Sequence, residues 1–149
     1  MMFLGLLLAS LPAWAEPTSV KTSDKLGFTA TFRANYIKVA ETDGTAYGWE
    51  SKTSPVEGEL VYLMSGKQKR TLSQMRKYLG RMLPSNVKVL EDRKISLAGH
   101  QGFEIEGLNA NGIPFIMRAV VTPTRSLFYG AESYDTAQNR AFVSSFRLR

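Results

Sequence analysis

Cysteine is absent from the 149 residues, and histidine occurs once, as His100. The first absence removes disulfides, thiolate zinc sites, thiol nucleophiles and covalent haem attachment. It also leaves no thiol to carry a lipid anchor. The second leaves His100 without a histidine or cysteine partner for metal binding or a catalytic triad. It falls near a predicted hairpin tip, flanked by Gly99 and Gly102, where a solvated turn residue is expected. Glycine-rich phosphate loops and a nucleophile elbow are missing too. Without staples, stability must come from a core, and a chain of this length can supply one.

Long apolar runs are confined to the start. Phe3–Leu11 is apolar and is followed by Ala13-Trp14-Ala15, an A-x-A cleavage pattern. The run is too short to span a bilayer and reads as a secretory signal peptide over residues 1–15. Its opening, Met1-Met2-Phe3, carries no Lys or Arg. Cleavage before Glu16 would deliver the chain to the periplasm or the medium. Residues 16–26 are polar and read as a flexible tail, and residues 27–149 as one domain. No later segment is apolar enough to cross a membrane.

Acidic residues are missing from Leu60 to Leu90, although the formal net charge is only +6. Lys67, Lys69, Arg70, Arg76, Lys77 and Arg81, with Lys88 beyond, make that stretch uniformly basic. An exposed helix face is often charged, but this gap marks the six as a candidate binding surface. Export argues against nucleic acid. A protein or an anionic envelope surface, such as lipid head groups or acidic glycan, is the expected partner.

What is present is strand alternation. Ile95–Ser133 reads as a four-strand meander. Phe103 and Ile105 alternate with Glu104 and Glu106, and Ile113, Phe115, Met117, Ala119 and Val121 share one face. Matching those faces sets Ile105 opposite Met117 and Glu104 opposite Arg118. The loop is then Ala110-Asn111-Gly112, with Gly112 at the left-handed position of a three-residue hairpin. The same rule sets Leu97 opposite Phe103, Lys94 across from Glu106, and Ala119 opposite Tyr129. Leu127, Tyr129 and Ala131 then join the Met117 face, and Gly130 flanks Arg118. The second face still carries Ile116, Val120 and Phe128, so something is expected to cover it.

Upstream, Gly27–Arg33 and Thr45–Ser51 read as strands, and Glu57–Met64 as a central one. Thr71–Leu83 is the best helix. Leu72, Met75, Tyr78, Leu79, Met82 and Leu83 form its stripe, and Thr71 with Gln74 forms a capping box. A second helix starts at Asp135, with Ala137, Ala141 and Phe142 on its apolar side. The fold class is α+β: a single antiparallel sheet of about six to seven strands with helices packed against it.

Several strings resemble PsbP-like domains. They are Gly99-His100-Gln101-Gly102-Phe103-Glu104, the partner strand with Arg118, the strand Arg125-x-x-Phe128-Tyr129, and the ending Phe142-Val143-Ser144-Ser145-Phe146. The resemblance spans roughly Phe28 to Arg147. It implies an antiparallel sheet between helices and a non-enzymatic accessory or binding role without a cofactor. It transfers no active site.

Glu104 and Glu106 share a face, as a glycosidase pair would. Their pairing with bases across the strands is the plainer reading. Tyr47, Trp49, Tyr62 and Tyr129 suit either a sugar groove or a core. The sequence therefore reads as an exported binding protein that uses its basic surface. A small periplasmic hydrolase using Glu104 or Glu106, or a carrier of a small apolar ligand, is the alternative.

Overall fold

The computed structural model describes residues 19–53 and 57–149. The expected signal peptide lies outside the described residues, as do residues 16–18. The elements run β1 (Val20–Lys21), β2 (Phe28–Thr29), β3 (Thr31–Phe32), β4 (Ile37–Ala40), β5 (Thr45–Glu50), β6 (Gly58–Ser65), α1 (Leu72–Met82) and β7 (Lys88–Leu97). They continue with β8 (His100–Leu108), β9 (Pro114–Val121), β10 (Arg125–Glu132), α2 (Thr136–Ser145) and β11 (Arg147–Leu148). Seven strands form one antiparallel sheet in the order β4-β5-β6-β10-β9-β8-β7. The expected meander is β7 to β10, and β6 joins it through β10.

Each helix covers one face. Met75 and Leu79 of α1 pack on Leu60, Tyr62, Met64, Phe103, Met117 and Phe128. The helix forms where its stripe predicts. The Thr71 hydroxyl accepts from the Gln74 N–H, and the Gln74 side chain answers to the Thr71 N–H at 2.8 Å. This satisfies two donors that a helix start leaves open. Phe142 and Val143 of α2, with Phe28, Phe32 and Phe146, pack on Val61, Ile116, Val120, Leu127 and Tyr129. The sheet is therefore apolar on both faces.

That double burial sorts the predicted registers. The β8–β9 hairpin is as expected: Ile105 faces Met117, Glu104 faces Arg118, and Gly112 adopts φ +75° in the loop. The two outer turns differ. Leu97 faces His100, across a two-residue turn in which Ala98 and Gly99 have φ 50° and 80°. Such left-handed pairs suit the twist of a tight hairpin. Lys94 consequently faces Phe103, Arg93 faces Glu104, and Glu91 faces Glu106. Ala119 faces Phe128, and Arg118 faces Tyr129. Leu127, Tyr129 and Ala131 thus belong to the α2 face, and Gly130 faces Met117 rather than flanking Arg118. Matching apolar faces assumes one wet face, and the central strands β6 and β10 have none, whereas β7 is exposed along most of its length.

The amino-terminal third departs most. Gly27–Arg33 is not a strand of the main sheet. It divides into β2, which pairs with β11, and β3, which pairs with β1. The tail expected to be flexible is part of the fold from Val20 onward. The Ala30 N–H donates to the buried Thr22 hydroxyl at 3.0 Å. On α2, Asp135 caps as predicted, its carboxylate accepting from the Gln138 N–H. Ala137 and Ala141 are exposed, however, and Asn139 is buried with Phe142. The Asn139 amide donates to the carbonyls of Pro114 and Ser133 and accepts from the Ser133 hydroxyl. A fully bonded amide occupies an apolar position at little cost.

Candidate functional site

The basic stretch folds into a concavity of about 560 Å³ at the start of α1. The Gly66–Gln68 turn, the residues after it and one side of α1, out to its last turn, bring Lys67, Lys69, Arg70, Lys77 and Arg81 to its walls. Lys77 and Arg81 lie four residues apart, so they share one helix side. Arg76 points elsewhere. It grips Asp92 of β7 at 2.9 and 3.0 Å and lies over the Phe103 ring at 4.2 Å. Arg70 is also held, by Asp43 at 3.2 Å and by stacking on Tyr78 at 4.1 Å. Its backbone N–H donates to the Ser126 hydroxyl.

The six predicted residues therefore divide. Lys67, Lys69, Lys77 and Arg81 have no ion-pair partner among the described residues, whereas Arg70 and Arg76 anchor the helix to the sheet. Asp43 organises this corner, because it also accepts from the Tyr62 hydroxyl. Burial and the Asp43 charge push the Tyr78 hydroxyl up to about 12. Asp43 lies outside the basic stretch, and its role was not legible from the sequence. Its proximity to residues 62 and 70 arises only in the fold.

Glu104 is 1% exposed and clamped. Arg118 Nε donates to it at 2.6 Å, Arg140 of α2 approaches at 3.3 and 3.4 Å, and Arg93 completes the ring. Arg140 also holds Glu106. Burial works against the Glu104 charge, but the Arg118 hydrogen bond and the three guanidiniums outweigh it. The carboxyl is held below its ordinary range. A general acid needs the opposite shift, so this pair is a fastening between sheet and α2. Arg118, with Arg147, also faces Tyr129, whose burial nonetheless pushes its hydroxyl up to about 12.

His100 is the first residue of β8, half-buried and opposite Leu97. Tyr47, Trp49, Tyr62 and Tyr129 are all at most 6% exposed, so they build core and not a sugar groove. An open groove of about 510 Å³ does lie between α2 and the β8–β9 end, near Leu90, Leu108, Pro114 and Ala137.

Glu50, Glu59 and Glu132 are buried carboxylates to which the sequence assigns no role. Glu59, 3% exposed, accepts from the Arg33 N–H at 2.6 Å and from Trp49 Nε1 at 2.7 Å, both on Oε1. Burial raises its pKa above the ordinary value, against those two bonds. It borders a groove of about 550 Å³ between β3 and α2. A lone glutamate inside the otherwise apolar run of β6 was the available signal.

No helix among the described residues is long and apolar enough to cross a membrane. No protein-family model matches the sequence, and no curated protein matches it. A solved structure does. The solution structure of cyanobacterial PsbP (CyanoP) from Synechocystis sp. PCC 6803 superposes with a TM-score of 0.60 at 12% identity. The match covers 96% of this chain and 99% of that one. At that identity the likeness speaks for architecture. Together with the seven-strand sheet between two helices, it shows that this chain has the PsbP-like α+β fold.

Proposed function

We propose that this chain is an exported, non-catalytic binding module that docks on an anionic envelope surface through the start of α1. The observation that carries this reading is the concavity where Lys67, Lys69, Lys77 and Arg81 converge with no ion-pair partner among the described residues. Elsewhere the arginines are spent on internal carboxylates: Arg33 on Glu57, Arg76 on Asp92, and Arg93, Arg118 and Arg140 on Glu104. Unpaired cations gathered on one concave face attract a negative surface and steer association. The clamped state of Glu104 supports a role without catalysis, because an ionised, triply held carboxylate neither donates a proton nor moves to a substrate.

The test is co-sedimentation of the chain with vesicles of phosphatidylglycerol and phosphatidylcholine, against pure phosphatidylcholine, at rising salt. Binding should need the anionic lipid and weaken with salt, because screening shortens the reach of exposed charges. Replacing Lys67, Lys69, Lys77 and Arg81 with Gln should abolish it, while Arg76→Gln should leave most of it. Wild-type protein that ignores both anionic vesicles and an acidic glycan resin at low salt would overturn the reading.

A further inference from the structure

The groove beside Glu59 has the chemistry of a second site, unrelated to the basic concavity. Glu59 is a buried carboxylate with no cation paired to it. Both of its hydrogen bonds come from neutral donors and both fall on Oε1, so Oε2 accepts no hydrogen bond among the described residues. The neighbouring guanidinium does not neutralise it directly. Arg33 is committed to Glu57 at 2.7 Å and to the Gln138 side chain. Arg33 and Glu59 both line the groove, and the Arg33 guanidinium is paired with Glu57 rather than with Glu59.

Of the other polar groups at the groove, Arg33 Nε is buried without a hydrogen-bond partner among the described residues, while the Ser145 hydroxyl is occupied. The Ser145 hydroxyl donates to the Phe142 carbonyl and accepts from the Thr31 N–H at 2.9 Å. Beneath, Phe32 and Phe142 are in ring contact at 5.0 Å and close the floor. The walls are Thr31 of β3 on one side and Gln138, Ala141 and Ser145 of α2 on the other. Those three helix positions, spaced by three and four residues, share one side of α2.

A buried carboxylate without a counter-charge costs free energy, which an incoming cation would offset. The volume is that of a small-molecule site. A single unpaired oxygen does not match a guanidinium fork, which wants two acceptors. Nor does a group of three His, Cys, Asp or Glu side chains gather for a metal ion among the described residues. A compact ammonium is the cation that fits one oxygen.

We propose that this groove binds a protonated primary amine, the ammonium donating to Glu59 Oε2 and a short aliphatic body lying between Thr31 and Ala141. Trp49 supplies the reporter, because its indole N–H is bonded to the same carboxylate. Titration of the full chain with n-butylammonium chloride should move the Trp49 indole N–H resonance in a saturable way. Equal concentrations of n-butanol and of sodium butyrate should not.

Glu59→Gln keeps an acceptor for Trp49 and Arg33 and should weaken binding by about tenfold or more, the loss of roughly one charged hydrogen bond. Ala141→Leu, at an exposed helix position, should weaken it by narrowing the groove with the carboxylate intact. This variant decides the matter if the first does not fold. Running an alanine dipeptide amide with a free terminus and an acetylated lysine amide beside butylammonium identifies the source of the amine. The proposal is overturned if butylammonium moves the Trp49 resonance no more than butanol does, or if both variants bind it as the wild type does.

Discussion

Two buried glutamates on the α2 side of the sheet have opposite fates. Glu104 sits among three arginines and is kept ionised. Glu59 sits among a peptide N–H and an indole, and burial raises its pKa. Both are almost fully buried, so burial is not what separates them. The difference is whether a guanidinium reaches the carboxylate. At Glu104 the desolvation cost is recovered as a tie between four elements, β7, β8, β9 and α2. At Glu59 two hydrogen bonds from neutral donors offset it only in part, and no ion pair adds to them.

The largest effect expected is at the clamp itself. Arg118→Ala removes the most buried of the three guanidiniums and leaves Glu104 beside the more exposed Arg93 and Arg140, which should cost about 3 kcal/mol. Chemical denaturation reads this directly, and an unchanged midpoint would mean that the clamp holds nothing. Glu104→Gln should cost about 2 kcal/mol at neutral pH, the scale of charge-assisted hydrogen bonds.

The pH dependence of that second cost has a definite sign. The folded pKa of Glu104 lies below its unfolded value near 4.3. Its stabilisation is therefore complete above that value and is lost as pH falls through the lower folded pKa. Wild type and Glu104→Gln should converge in acid. Arg140→Gln, which loosens α2 from Glu104 and Glu106, should cost about 1 kcal/mol, because that guanidinium is partly exposed. Hydrogen exchange in α2 should rise more than in α1.

The smallest effect has the opposite sign. Glu59→Gln should stabilise the neutral protein slightly, by about 0–1 kcal/mol, since it removes a charge that burial disfavours. The penalty at Glu59 is present above its raised folded pKa and vanishes as pH falls to the unfolded value, so this gain should also disappear in acid. If Glu59→Gln destabilises as Glu104→Gln does, the two carboxylates are alike and the contrast between them fails.

How much was legible follows the same line. The Glu104–Arg118 pair could be read because both strands alternate cleanly and Gly112 fixes the loop. The α1 helix could be read because its apolar stripe faces one way and its cap is local. The face of Tyr129 is illegible because β10 serves a second core, where parity no longer tells inside from outside; that of Leu97 is illegible because a two-residue turn sets the register of the largely exposed β7. Arg70 and Arg76 read as members of a binding surface because their partners, Asp43 in the β4–β5 loop and Asp92 on β7, are remote in the chain. Glu59 was passed over because its donors, the Arg33 N–H and Trp49, are distant in the chain.

The amino-acid order by itself determined the α+β class, the central hairpin, the first helix with its cap, and a basic segment free of acids. Each depends on interactions within a few residues or across one short loop. The tertiary structure decided which arginines are free, which glutamate is paired, and which face each outer strand shows. Those outcomes depend on groups brought together from remote positions, and a sheet buried on both sides leaves no polar face to mark them in advance.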